Sequence, residues 1–104
     1  MALDVLSMMP GKKIVVTPGM VELGDIQDEE NTRFGKRIAE VSDEVILIGK
    51  NQTKAIHTGL KNKNYPDKRI HVLEDITDAF SLIQQLKDKE TYVLLENDLP
   101  DIFR

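Results

Sequence analysis

Short apolar runs alternate with amphipathic stretches along this chain. Four of the runs are rich in β-branched or other strongly apolar residues, which is typical of strands buried on both faces. They predict strands at residues 13–17, 44–48, 69–73 and 91–95. The third run alternates more between apolar and polar positions, and this indicates a strand nearer the edge of the sheet.

The stretches between these runs repeat apolar residues at helical spacing. A short helix over residues 2–9 precedes the first strand, and longer helices follow the first, second and third strands. The predicted inward-facing positions of these longer helices are Phe34, Ile38 and Val41, then Ala55, Ile56 and Leu60, and then Ile76, Phe80, Ile83 and Leu86. Gly35 weakens the first of them, and close packing of that helix on the sheet is the expected compensation.

The regular order of strands and helices predicts a single domain over residues 1–104 with an α/β fold. The strands begin about 20 to 30 residues apart, which is the spacing of βαβ units with right-handed crossovers. We therefore expect a Rossmann-like three-layer α/β/α domain with a mostly parallel sheet of about four strands. In the strand order 3-2-1-4, the first and fourth strands are neighbours, and their carboxyl ends bracket the place where such sheets bind ligands.

The predicted first strand ends in a loop that could contact a ligand. Pro18 has no N–H for the sheet and Gly19 allows a positive φ, so the strand must stop there. The candidate contacts are the Thr17 hydroxyl, the backbone around Gly19 and the Glu22 carboxylate, while a plain strand-ending turn is the alternative. The loop has neither the G-x-G-x-x-G spacing of a dinucleotide site nor the G-x-x-x-x-G-K-[ST] pattern of a P-loop.

An acidic loop follows the predicted fourth strand and should lie beside the first loop. The carboxylates of Glu96, Asp98 and Asp101 could bind a cation or the ammonium group of a substrate. Asn97 can both donate and accept hydrogen bonds. A solvated chain terminus is the alternative interpretation of this loop.

Other candidate sites have less support. His57 and His71 are far apart in the sequence and have no evident third ligand, so a metal site is not expected. The polar, basic run at residues 50–54 could meet a phosphate or carboxylate, although a solvated helix start is the commoner outcome. The serines lack the elbow of a hydrolase nucleophile. A phosphate-accepting receiver site is disfavoured because Asp75 has no acidic partners after the first strand.

Composition narrows the classes of partner. The 104 residues carry a formal net charge of −4 and no cysteine, which argues against phosphate-driven nucleic-acid binding, disulfides and thiolate metal sites. No apolar run approaches the ~20 residues that span a bilayer, and the basic region of a signal peptide is missing. We expect a cytoplasmic protein without nucleic-acid or membrane partners. The first helix starts without a capping residue, which suggests that the chain was cut from a longer one.

Several segments together resemble the C-terminal domain of the Mur ligases. They read V-V-T-P-G-M-V-E-L-G, N-T-R-F-G, V-I-L-I-G and T-Y-V-L-L-E-N-D, and the resemblance covers nearly the whole chain. It is closest to the UDP-N-acetylmuramoyl-tripeptide–D-alanyl-D-alanine ligase branch, in which the first strand usually runs into G-D-M-x-E-L-G before a helix with H-x-x-x-G. Asn31 and Gly35 stand where that histidine and glycine would fall.

The resemblance implies one of the three domains of an ATP-dependent ligase of peptidoglycan precursor synthesis. Such ligases activate a peptide carboxylate as an acyl phosphate, which the amine of an amino acid or of D-Ala-D-Ala then attacks. The family's N-terminal domain would hold the UDP-MurNAc-peptide, and its central domain would hold most of the ATP and Mg²⁺. This fragment alone would bind no cofactor, hydrolyse no ATP and ligate nothing.

The resemblance also implies where this domain meets the incoming substrate, and it assigns no catalytic or metal-binding residue here. The implied substrate-binding residues, in the loops after strands 1 and 4, are Thr17, Gly19, Met20, Glu22, Glu96, Asn97 and Asp98. Strand 4 of the family commonly ends in Lys-Gly-Ser, so the acidic sequence here implies a different acceptor or a side branch. The competing interpretation is a stand-alone Rossmann-like module that binds a small ligand without catalysis.

Overall fold

The computed structural model describes residues 2–21 and 24–96. Its helices and strands are α1 (Ala2–Ser7), β1 (Lys12–Thr17), α2 (Gln27–Val41), β2 (Glu44–Ile48), α3 (Lys54–Asn62), β3 (Ile70–Leu73), α4 (Ile76–Leu86) and β4 (Thr91–Leu95). Two 3-10 turns, Gly24–Ile26 and Asp67–Arg69, precede α2 and β3. All four predicted strands are present, each within one residue of its predicted ends.

The four strands form one parallel sheet in the order β3-β2-β1-β4. Ile14 of β1 pairs with Glu44 of β2 on one side and with Val93 of β4 on the other. This arrangement confirms the predicted α/β fold and the strand order 3-2-1-4. It also places β3 at an edge, as the alternating pattern of that strand predicted.

Alternate side chains of the central strands enter two separate cores, because successive residues of a strand point to opposite faces. Val15, Val45 and Leu47 pack with residues of α1, α2 and α3. On the other face, Ile14 and Ile46 pack with residues of α4. Burying each such side chain contributes roughly 1.5–3 kcal/mol, so the two layers of helices hold the carboxyl ends of β1 and β2 firmly in place.

Helices α2 and α3 approach each other closely at two buried glycines. A Cβ atom on Gly35 would overlap the carbonyl oxygen of Ile56, and one on Gly59 would overlap the carbonyl oxygen of Thr32. The prediction that Gly35 allows close packing on the sheet is therefore wrong about the partner. The close contact is between two helices, which brings the start of α3 near the start of α2.

The inward stripe of α4 differs from the predicted one. Ile76, Ala79 and Ile83 are its buried residues, whereas Phe80 is 44% exposed. The stripe is centred on the Ala79 side of the helix, so Phe80 falls at its margin and the prediction that Phe80 faces the core is wrong. No helix among residues 2–21 and 24–96 is long and apolar enough to cross a membrane.

Candidate functional site

The carboxyl ends of β1 and β4 lie side by side at one edge of the sheet. Val16 pairs with Leu95 in the parallel ladder, and the N–H of Glu96 donates to the carbonyl of Val16 at 2.9 Å. The loop that follows β1 therefore starts beside Glu96. The sequence predicted this meeting of two distant segments, and the sheet order confirms it.

Thr17 and Gly19 set the shape of the loop after β1. The Thr17 side chain is fully buried, and its hydroxyl accepts the N–H of Gly19 at 2.9 Å. Gly19 has a φ of +83°, and a Cβ there would lie 3.2 Å from Cδ1 of Ile56. A side chain at this position would therefore be strained and crowded. The Thr17 hydroxyl stabilises the turn from inside and is not presented at the surface.

Asn31 of α2 fixes the next residue of the loop. Its Oδ1 accepts the N–H of Met20 at 2.8 Å, and its Nδ2 donates to the carbonyl of Met20 at 2.9 Å. This side-chain amide thus bonds both backbone groups of one residue, much as a neighbouring strand would. Asn31 itself is only 1% exposed, so the buried amide is satisfied by the loop it holds.

Gln52, which lies just before α3, also holds this loop by a hydrogen bond. Its Nε2 donates to the carbonyls of Pro18 at 3.0 Å and Ile48 at 3.1 Å. The carboxyl ends of β1 and β2 are therefore joined by one side chain. Sequence reasoning treated Gln52 only as part of the polar run at residues 50–54 and noted Asn31 only as a departure from a family pattern. A polar residue in register with the apolar stripe of α2 was the available signal for Asn31.

The predicted substrate-binding residues fall into two groups. Thr17, Gly19, Met20 and Glu96 lie at the shared edge of β1 and β4. The other three lie outside the described residues, and they are Glu22, Asn97 and Asp98. A substrate-binding role for all seven residues stays a prediction.

The two histidines lie apart in the fold. Nε2 of His71 is 2.9 Å from Oε1 of Glu44, and Lys12 Nζ is 3.7 Å from the other oxygen of that carboxylate. His57 lies on α3 and lines a cavity beside β3. Within the described part of the chain, no group of three His, Asp or Glu side chains could hold a metal ion.

The backbone of the loop at the β1–β4 edge is held by hydrogen bonds within the protein. The N–H of Gly19, both backbone polar groups of Met20 and the carbonyl of Pro18 are all bonded within the protein. The loop therefore has a fixed conformation before any ligand arrives. Val21, which follows it, is 47% exposed, and Glu96 supplies the carboxylate of this edge. Hydrogen-bonding groups held in this way are of the kind that can position a polar ligand.

Comparisons with known proteins agree with this fold. A protein-family model described as "Mur ligase, glutamate ligase domain" matches residues 1–96. The MurF ligase from Thermotoga maritima, solved in complex with ADP, superposes with a TM-score of 0.71 at 24% sequence identity over 90% of this chain. MurF from Acinetobacter baumannii superposes with a TM-score of 0.69 at 23% identity, also over 90% of this chain. At these identities the two likenesses show the fold.

The matched region is a small part of those enzymes. It covers 20% of the Thermotoga maritima chain and 21% of the Acinetobacter baumannii chain, so this chain spans about a fifth of the length of each. The search of curated proteins found no match.

Proposed function

Because this chain belongs to the Mur ligase family through its glutamate ligase domain, we propose that it is the substrate-presenting C-terminal domain of an ATP-dependent amide-bond ligase. The proposed ligase acts in cytoplasmic peptidoglycan precursor synthesis and adds an amino acid or D-Ala-D-Ala to a UDP-MurNAc-peptide. The observation that carries the proposal is the family match over residues 1–96, on a fold that brings the ends of β1 and β4 together.

In the proposed reaction, the peptide carboxylate attacks the γ-phosphorus of ATP, and ADP leaves. The amine of the acceptor then attacks the acyl carbon, loses a proton and expels phosphate. ATP and Mg²⁺ are assigned mainly to the central domain of the longer protein, as the resemblance to the Mur ligases implies. The ADP bound to the Thermotoga maritima enzyme supports a nucleotide in the longer protein.

The role proposed for this chain is to hold the acceptor amine in line with the acyl carbon. Orientation of this kind can supply a large part of the rate of an amide-forming step. Glu96 is the described carboxylate of the edge, and Glu22 and Asp98 are the further carboxylates predicted to accept hydrogen bonds from the ammonium group. The internal bonds of residues 17–20 support the proposal, because a loop that is already ordered loses little entropy when the acceptor binds.

The test uses the polypeptide that carries residues 1–104 together with the nucleotide-binding domain. ADP release should require both a UDP-MurNAc-peptide and an acceptor, and a panel of amino acids and D-Ala-D-Ala identifies the acceptor. Glu96→Gln should raise the KM for the acceptor about tenfold with a smaller effect on kcat, because a charge-assisted hydrogen bond is lost. Glu29→Gln, an exposed carboxylate of α2, is the matched control.

The possible outcomes test the ligase function and the assignment of Glu96 separately. If no acceptor stimulates ADP release, the ligase function is wrong and the stand-alone binding module becomes the better account. If ligation occurs but Glu96→Gln behaves like the control, the function stands and the assignment of Glu96 fails. The 104-residue chain by itself should neither hydrolyse ATP nor form an amide.

A further inference from the structure

A cavity lies away from the β1–β4 edge. It is a cavity of about 600 Å³ between α3 and the edge strand β3, and its lining includes no residue of the loop after β1 and not Glu96. Its volume is within the range of small-molecule sites, about 300–1,000 Å³. The proposed ligase function does not use it.

The apolar part of this cavity is a cross-strand pair. Leu47 of β2 pairs with Val72 of β3 in the parallel ladder, and both line the cavity. Leu47 is fully buried, whereas Val72 is 41% exposed. Helix α3 covers the β2 side of this face through Ile56 and Leu60 and leaves the β3 side open. The cavity thus offers an apolar patch that could take the body of a small ligand.

The polar part of the cavity has a local excess of positive charge. Lys50 and Lys54 both line it, both are exposed, and neither side-chain ammonium has a hydrogen bond or ion pair within the described residues. Oε2 of Glu74 accepts the N–H of Lys50 at 2.9 Å, so this carboxylate is partly engaged in holding the loop. The half-buried ring of His57 adds a further polar group.

Two lysine side chains thus lie beside the apolar patch, although the net charge of the chain is −4. The lysines come from the polar run at residues 50–54, which follows β2 and begins α3. The fold therefore places both lysines of that run in the lining of one cavity. An anion that enters would be attracted by both ammonium groups, and its apolar part would cover Val72.

We propose that this cavity binds a small organic anion, a carboxylate with a branched apolar body. Its carboxylate lies between the ammonium groups of Lys50 and Lys54, and its apolar body lies on the exposed side chain of Val72, above the buried Leu47. His57 donates to, or accepts from, a further polar atom of the ligand. This site is separate from the proposed ligase function. All of its lining residues belong to this chain, so binding there needs no other domain.

The proposal can be tested by NMR titration of the ¹⁵N-labelled 104-residue chain at fixed ionic strength. The probe is 3-methylbutanoate, and the comparison ligands are the neutral 3-methylbutanamide, acetate and inorganic phosphate. We expect weak but saturable shifts concentrated at the amides of Lys50, Thr53, His57 and Val72. The amide and acetate should each bind at least about fivefold more weakly, because one lacks the charge and the other the apolar body.

Variants test each half of the site. Lys50→Gln and Lys54→Gln should each weaken 3-methylbutanoate binding by about twofold to fivefold, whereas Lys68→Gln, an exposed lysine outside the cavity, should not. Val72→Thr keeps the shape of the side chain and adds a hydroxyl, so it should weaken binding of 3-methylbutanoate but not of acetate. Spectra of the free variants establish that each is folded.

Several results would overturn the proposal. Shifts that do not saturate, or that spread over lysines around the whole surface, would show non-specific attraction. Equal losses in the Lys54→Gln and Lys68→Gln variants would show the same. Phosphate or acetate binding as tightly as 3-methylbutanoate would mean that the apolar patch contributes nothing. None of these results depends on whether the longer protein is a ligase.

Discussion

Replacing Asn31 with alanine should release the loop after β1. The Asn31 amide makes two hydrogen bonds to the backbone of Met20, at 2.8 and 2.9 Å, and each is worth about 1 kcal/mol net. The backbone groups left behind are only partly buried, so water can reach them when the loop opens, and the further desolvation cost is at the low end of about 1–3 kcal/mol. We expect a total loss of about 2–3 kcal/mol, concentrated in this loop.

Amide hydrogen exchange is the most direct assay. The N–H of Gly19 is bonded to Thr17 and not to Asn31, so it reports opening of the loop and not the simple removal of a partner. Since about 1.4 kcal/mol corresponds to a factor of ten, exchange at Gly19 should accelerate by roughly 30- to 150-fold. Amides in the middle of β2 should change much less.

Two further variants sharpen the interpretation. Asn31→Asp keeps an acceptor for the N–H of Met20 but buries a carboxylate with one oxygen against the Met20 carbonyl, so it should release the loop at least as much as the alanine variant. Lys36→Ala, at an exposed position of the same helix, controls for changes in α2 itself. Unchanged exchange at Gly19 in Asn31→Ala, with overall stability retained, would refute the view that this amide holds the loop closed.

Two other perturbations follow from the packing. Gly35→Ala should lower the free energy of unfolding by about 1–3 kcal/mol, because the added methyl group meets the backbone carbonyl of Ile56. This loss should outweigh the better helix propensity of alanine. The melting temperature should fall about 4–8 °C per kcal/mol, and an unchanged melting temperature would contradict the close contact. Burial raises the pKa of Tyr65, with the hydrogen bond to Ser42 opposing it, so the stability that Tyr65 provides should be present below about pH 10 and lost as pH rises through its raised pKa. Urea unfolding between pH 7 and 11 should show a shallower loss for Tyr65→Phe, and equal slopes would rule out this coupling.

The fold was largely predictable because its determinants are local or topological. A strand end such as the one at Pro18–Gly19 is marked by residue types that do not continue a sheet. Short connections with right-handed crossovers then leave few arrangements for four parallel strands, so the neighbourhood of β1 and β4 follows from the order of elements. Phe80 was misplaced because a stripe at helical spacing fixes the face of a helix only to within about one residue.

The internal supports of the candidate site were less predictable because they depend on tertiary distances. Gln52 reaches the carbonyl of Pro18 because the carboxyl ends of β1 and β2 are neighbours in the sheet, and the residue pattern does not show which side chain spans them. Asn31 is different, because it stands in register with Ile38 and Val41 on the buried side of α2. A polar side chain at such a position must find a hydrogen-bond partner in the interior. The core on that face is otherwise apolar, so the partners come from the nearby turn, where the N–H and the carbonyl of Met20 bond to Asn31. The buried amide and the loop therefore stabilise each other.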